Sequence, residues 1–590
     1  MIHDMVTANQ AFLHGISQYP NDFLLSCWTS GISFYREETK KINPFFNSED
    51  INDYLALFGL NYRIAEKGLV NNLCSMSDFH GRHLQKACSA WTHSIVPGNE
   101  ENLKTYTAEL ARLMCAMAYD FPAAVRDIGS EYGLNVEEKG YQFISETDRF
   151  VLYQVLPRNG KIKVRKKGKP VIILPSHVIG AHILGFLPDE GKSYVHAFAD
   201  QGIPTYIRIV KDIATTPAVQ TMTGEDDTRD LRTFCEKISA LHGSPVTING
   251  YGQGGYTAAL NLLSGELDDL VDALIACASP MDGSRSKAIV SCVDQLPERF
   301  RDLGYVVKTL SNGNQVVDGT IINWLHKLLS IGIDGPFFSF YRDLDMLESC
   351  LEGNGDIGKT ALGTNYWLLY DRTDLPLSIA RLILDSCTAS VQNDGTLPVK
   401  LFGRALNFKR LKEKGVKVLI CIAENDELVD KEAALAIRDH IEAEVSVFPN
   451  GHGSIAVSWS HPASDCALDT VFGDNYRGPV RFQLDLESEL AEKKRPSREK
   501  KKSEAKAAVE VKDTSSPKKS TSPRNTKAGS KKSDSAQAKA LLPKKAVKPV
   551  AKKSVSKPST KPGSKKIASA QAKAPASKKS TTVSASTRNK

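Results

Sequence analysis

The sequence contains no C-x-x-C pair, and its cysteines number eleven, an odd total scattered through the first 490 residues. That pattern argues against a disulfide framework and against a structural zinc site, so free thiols in a reducing compartment are expected. No stretch comes near the roughly 20 apolar residues of a membrane span; the longest apolar runs, such as VIILP and ILGFLP, are short. The opening MIHDMVTANQAFLHG lacks the basic segment and apolar run of a secretory signal. A cytoplasmic protein is expected, with no membrane span, no metal and no cofactor. The last hundred residues are nearly devoid of aromatic and large apolar side chains. Lys, Ser, Ala and Pro replace them, and SAQAKA occurs twice. Such a segment buries too little apolar surface to offset its ordering entropy, so residues 486–590 are expected to be disordered.

The net charge of +8 hides a division. Ala491 to Lys590 carries 30 Lys+Arg against 6 Asp+Glu, about +24, and the preceding residues are left at about −16. An acidic body thus carries a basic tail. The tail resembles histone linker tails and those of DNA-binding phasins on polyester granules. It is suited to binding a polyanion (DNA, RNA or polyphosphate) by neutralising phosphates and releasing counterions. No folded reading head accompanies it, so sequence-specific readout is not expected. Solubilisation, and contact with the chain's own acidic body, are the competing readings.

What is present along the body falls into three textures. Residues 1–148 read as helical, with apolar residues at three- and four-residue spacing in INDYLALFGLNYRIAEKGLVNNL and ENLKTYTAELARLMCAMAYDF. From Arg149, short β-rich runs (RFVLYQVLP, TYIRIV, PVTING, ALIACASP, KVLICIAEND, AEVSVFPNGH) are separated by helical stretches. That alternation predicts an α/β unit over 149–485 with a mostly parallel sheet covered on both faces. Over about 282–388 the alternation breaks into helical, aromatic-rich sequence, which reads as an inserted cap.

The chemistry centres on TINGYGQGGYTAA, Thr247 to Ala259. A strand, a glycine-dense turn and a helix start make the outline of a nucleophile elbow. The nucleophile of such an elbow sits at the tip, with small residues two before and two after it. Gly250 and Gly254 fill the flanking places, but the tip is Gly252, which has no side chain. An acid and then a histidine should follow in chain order. Asp426 follows one predicted strand and His452 the next, both beyond strand C-termini, where open α/β sheets keep their sites. GYGQGG lacks the Lys-Ser/Thr of a phosphate-binding P-loop and the spacing of G-x-G-x-x-G. Cys277 and Ser279, after a neighbouring strand, are secondary nucleophile candidates without elbow geometry.

Over roughly Phe150 to Trp459 these motifs together resemble the polyhydroxyalkanoate synthases. GYGQGG matches that family's G-Y-C-x-G-G except at the cysteine. VIILPSHVIGAHILGFLPDEGKSYVHAFADQGIPTYI, TNYWLLYDRTDLPLSIARLIL, GTLPVKLFGRALNFKRLKEKGVKVLICIAENDELV and NGHGSI look like its further segments, in its order. The resemblance implies an α/β-hydrolase fold with a helical N-terminal region, an inserted helical cap and a disordered basic tail. It also implies a Cys–His–Asp site that polymerises hydroxyacyl-CoA thioesters, with Asp426 and His452 carried over. The nucleophile is not carried over, and Glu427 stands where the family usually has histidine. The long tail is a further departure.

The backbone amides of Gln253 and Gly254 remain candidates for an oxyanion pocket. Three functions stay open: a non-polymerising synthase-like protein that binds acyl-CoA, polyester or a synthase or granule partner and tethers it to granule or nucleoid; a hydrolase or acyltransferase using water or another nucleophile; and a structural nucleic-acid-associated protein.

Overall fold

The computed structural model describes residues 1–41, 48–95, 102–137, 140–323, 336–352, 357–449 and 451–453. The basic tail, with the disorder expected of it, lies outside the described residues.

Eight strands form the central sheet: β1 (Tyr141–Glu146), β2 (Phe150–Val155), β3 (Val171–Leu174), β4 (Thr205–Val210), β5 (Val246–Tyr251), β6 (Val271–Cys277), β7 (Lys417–Ala423) and β8 (Glu444–Phe448). Their order is β1-β2-β4-β3-β5-β6-β7-β8. β2 is antiparallel to both neighbours, and every pair from β4 to β8 is parallel. β1 begins before the change of texture at Arg149, because its partner is the hairpin strand β2. The uninterrupted apolar runs of the inner strands follow from burial on both faces. In β3, Ile172 and Leu174 join the core on one side and Val171 and Ile173 the core on the other, and all four are fully buried. Burying each such side chain contributes about 1.5–3 kcal/mol.

The N-terminal helices α1 (Ile2–Lys41), α2 (Ser48–Ser94) and α3 (Leu103–Cys115), the last continued by a π-helical turn (Ala116–Asp120) and a short helix (Phe121–Asp127), precede the sheet. Helix α4 (Gly224–His242) precedes β5; a reciprocal capping box between Thr223 and Asp226 starts it, and Gly243 at φ 65° ends it. Helix α5 (Gln253–Leu263) leaves β5 directly.

Between β6 and β7 lies the cap. It holds α6 (Pro336–Glu352), α7 (Lys359–Leu369) and α8 (Leu377–Thr388). It also holds a small antiparallel sheet of Val307–Thr309, Gln315–Val317 and Leu375–Pro376, so it is not wholly helical. The N-terminal helices are fastened to this cap. Phe79 and Met117 share an apolar cluster with Phe340, Leu344 and Trp367. At its edge Glu38 accepts from Tyr305 Oη at 2.5 Å and from Arg299 Nη2 at 3.0 Å. Among the described residues no helix is long and apolar enough to cross a membrane.

Candidate functional site

β5 ends at Tyr251 and α5 starts at Gln253, so one residue makes the whole reversal. That residue is Gly252, at φ 55° and ψ −130°. Its N–H donates to the Cys277 carbonyl at 2.8 Å and its carbonyl accepts from Gly255 N at 3.1 Å. A side chain in this region of backbone space stores about 1–3 kcal/mol of strain, which a nucleophile elbow bears and a glycine does not. The flanking glycines are required by close approach. A Cβ on Gly254 would stand 2.3 Å from the Leu174 carbonyl oxygen, and one on Gly250 would stand 2.3 Å from Gly255 Cα. The turn therefore presses against the end of β3, as a sharp strand-to-helix elbow must.

The other expected residues converge on the same edge of the sheet. Asp426 follows β7 and His452 follows β8. His452 Nδ1 lies 3.0 and 2.9 Å from the two carboxylate oxygens of Asp426. Asp426 Oδ1 also accepts from the N–H groups of Leu428 and Val429, at 3.0 and 2.8 Å, which fixes the carboxylate in its turn. The two side chains are only 6% and 5% exposed. Tyr251 Oη donates to the His452 carbonyl at 2.8 Å and holds the histidine loop to the elbow. With Nδ1 committed to Asp426, Nε2 turns toward Gly252. A Cβ built on Gly252 would lie 3.8 Å from Nε2 and would meet no other atom within 4 Å.

This is the α/β-hydrolase fold.

Strand order, elbow and the acid–histidine sequence together decide the assignment of the fold. No protein-family model and no curated protein matches the sequence. Among solved structures the chain is similar to a carboxylesterase of the ammonia-oxidizing thaumarchaeon Nitrososphaera gargenis, at 14% identity over 54% of this chain and 92% of that one, TM-score 0.32. It is similar to a soluble variant of monoglyceride lipase from Saccharomyces cerevisiae, at 13% identity over 58% and 95% of the two chains, TM-score 0.32. A third likeness is to the thioesterase domain of a curacin biosynthetic pathway, at 11% identity over 54% and 95%, TM-score 0.29.

In this fold the acyl oxygen is received by the N–H of the residue after the nucleophile and by a second N–H from the loop following β3. Gln253, first residue of α5, presents one of the N–H groups that a helix start leaves without an intrahelical acceptor. The second donor was not anticipated from sequence, although the run Pro175-Ser176-His177 directly after β3 marks where it must come from. Proline has no N–H. The Val178 N–H donates to Ser176 Oγ at 3.2 Å. The His177 N–H donates to the side-chain oxygen of Gln253 at 3.0 Å, while Gln253 Nε2 donates to Thr257 Oγ1 at 2.6 Å. The amide oxygen of Gln253 therefore occupies the His177 N–H, one of the N–H groups of the loop after β3.

Behind His177 lies a buried ion pair. Arg208 Nη2 meets Asp227 Oδ1 at 2.9 Å with both side chains all but sealed from solvent, and Asn261 Nδ2 donates to Asp227 Oδ2 at 2.7 Å. His177 Nε2 stands 3.4 Å from the same carboxylate. Burial pushes the Asp227 carboxyl up, but Arg208, His177 and Asn261 together hold it below the usual carboxylate range.

The secondary nucleophile candidates do not face His452. Cys277 is fully buried, with Sγ 3.1 Å from Tyr194 Oη. Ser279 is fully buried, donates to the Cys277 carbonyl at 3.0 Å and packs against Gly255. Burial also raises the thiols of Cys387 and Cys421, and pushes Cys235 to about 12, so none of these is poised as a thiolate.

An apolar cavity of about 270 Å³ lies within the cap, and Gly252, Asp426 and His452 are not among the residues that line it. Phe300, Val317, Ile322 and Leu384 of the cap line it, together with Val178 and Leu428. Val178 follows His177, and Leu428 is one of the residues whose N–H holds Asp426. The cavity therefore adjoins both the β3 loop and the acid turn.

Proposed function

We propose that this chain is a polyhydroxyalkanoate-synthase-like protein that binds a hydroxyacyl thioester, or the polyester made from one, without the thiol route to polymer. One observation carries the reading: His452 Nε2, backed by Asp426, faces Gly252, which has no atom to form a covalent acyl intermediate. Losing the nucleophile of such a unit costs on the order of 10⁶ in rate. The apolar cavity beside Val178 and Leu428 is the seat for the acyl chain, and the Gln253 N–H is the remaining partner for its carbonyl. The basic tail tethers this cargo to a polyanion, and a synthase subunit or granule is the fitting neighbour.

The test is purified protein with 3-hydroxybutyryl-CoA. Binding without polymer is expected; polymer formed at a rate ordinary for enzymes would sink the reading. A second reading, hydrolysis by water that His452 activates, is favoured by the open space at Gly252, where a Cβ would meet nothing but Nε2. Slow release of CoA that disappears in His452→Ala supports this second reading; release that persists rejects it.

A further inference from the structure

The connection from β2 to β3 is strongly basic. Residues 158–169, RNGKIKVRKKGK, hold seven Lys and Arg and no Asp or Glu. β2 runs antiparallel to β4, so this loop lies at the edge where the parallel strands begin, opposite Gly252 and His452. Two of the seven cations serve the fold: Arg158 pairs with Asp200 at 2.6 Å, and Lys169 pairs with Asp272. Lys161, Lys163, Arg165, Lys166 and Lys167 are exposed, and among the described residues none of the five has an ion pair. Neighbouring acids along this edge are taken. Besides Asp200 and Asp272, Asp268 pairs with Lys414 and Asp269 with Arg232, each at 2.9 Å.

The loop is pinned although its cations are free. The Arg165 N–H donates to the Gly202 carbonyl and the Gly168 N–H to the Arg165 carbonyl, both at 2.9 Å. His242, the last residue of α4, donates from Nδ1 to the Lys166 carbonyl at 2.9 Å. Half-buried Ile162 and Val164 alternate with exposed Lys161, Lys163 and Arg165, which puts these three cations on the outer side. A partner therefore meets an ordered backbone and has only side chains to immobilise. Crowded like charges cost the free protein stability, and an anionic partner removes that cost.

We propose that this loop is a second contact for double-stranded DNA, brought to it by the basic tail; the inference rests on the tail tether put forward above. Phosphate is the ligand chemistry that a row of unpaired Lys and Arg recognises, and the tail is suited to the same one. Lys417, exposed at the start of β7, adds a sixth cation. It lies three strand spacings from β3, about 14 Å along the edge. A single phosphate chain follows one line, whereas a duplex presents two and covers a surface of this breadth. A lipid surface fits less well. It takes up inserted apolar side chains, and here Ile162 and Val164 turn into the fold. Alone, the loop is too weak to hold DNA against a body of about −16. With the duplex held by the tail, it acts at a millimolar effective concentration.

The experiment is a salt titration of the full chain against a labelled duplex, read by fluorescence anisotropy. The wild type is compared with the variant Lys161→Gln, Lys163→Gln, Lys166→Gln, Lys167→Gln. These side chains are exposed and unpaired, so the fold and its melting temperature should be retained. Four phosphate contacts at about 0.9 each should make the log–log slope shallower by up to about 3.6, with affinity about tenfold lower. A control variant, Lys40→Gln, Lys287→Gln, Lys359→Gln, Lys431→Gln, removes the same charge from exposed sites elsewhere and should keep the wild-type slope. Should the fourfold variant fail to fold, Lys163→Gln with Lys166→Gln makes the same test at half the change in slope. Wild type and loop variant binding DNA with one slope overturns this inference and leaves the tail tether standing. A full chain that does not bind DNA overturns both. An equal loss in the control also overturns the inference, since net charge then acts in place of a site. So does weakened binding to phosphatidylglycerol vesicles with DNA binding unchanged, for the loop then serves a lipid surface.

Discussion

Gly252→Cys restores the missing atom and tests how much of the catalytic constellation survives. The new Cβ stands 3.8 Å from His452 Nε2 with no other atom within 4 Å, so a thiol fits and comes within hydrogen-bond reach of the imidazole. The backbone at φ 55° costs about 1–3 kcal/mol once a side chain is present, which lowers stability without unfolding a domain of this size. A histidine already oriented by Asp426 should depress the thiol pKa, so the introduced thiol should alkylate with iodoacetamide well below the ordinary thiol range. Mass mapping separates it from the exposed Cys74 and Cys88.

Turnover is a different matter. The His177 N–H is occupied by the Gln253 amide oxygen at 3.0 Å. A lost oxyanion donor is worth about 10²–10³ in rate, or about 2.7–4 kcal/mol. The single variant should therefore react as a thiol yet turn over acyl substrate poorly. Adding Gln253→Ala should raise cleavage of a hydroxyacyl thioester by on the order of 10²-fold, read as loss of thioester absorbance. The reasoning is refuted if Gly252→Cys alone reaches the rate of the double variant, for then the Gln253 oxygen does not obstruct the donor. It is equally refuted if the introduced thiol shows no faster alkylation than Cys74, for then His452 does not address position 252.

Gly254→Ala should destabilise the protein by about 3 kcal/mol in chemical denaturation, because its Cβ would fall 2.3 Å from the Leu174 carbonyl and no flexible side chain can yield there. Asp227→Asn should cost about 3–5 kcal/mol by leaving Arg208 buried and uncompensated. Because the folded Asp227 carboxyl is held below its unfolded value, its contribution is present above about pH 4 and fades as pH falls through the acid range. The gap between wild-type and variant urea midpoints should narrow accordingly. Residues 491–590 should bind unrelated DNA duplexes alike, with a log–log salt slope of about −0.9 per phosphate neutralised. Deletion after Leu490 should abolish that binding, since the remaining body carries about −16; equal binding by the truncated form rejects the tether.

Much of this protein was written locally enough to be read from the chain. A strand buried on both faces must be a short apolar run, so β3 and β5 through β7 announce themselves. Gly250, Gly252 and Gly254 declare the elbow because a reversal in one residue tolerates nothing larger on either side. Asp426 and His452 are legible because each follows a β-rich run in the order the fold imposes, Asp426 after the buried β7 and His452 after the edge strand β8.

Composition alone also marks the tail as too polar to bury a core. Contacts between distant parts of the chain left no such trace. That the Gln253 side chain lies on the His177 N–H depends on where the loop after β3 meets α5, a distance of 76 residues in sequence. That Cys277 faces Tyr194 rather than His452 depends on the parity of β6 within the sheet, which one residue of register would reverse. The three-and-four spacing of α2 predicts an amphipathic helix. Only the packing of Phe79 and Leu60 reveals which face the helix spends on its own fold.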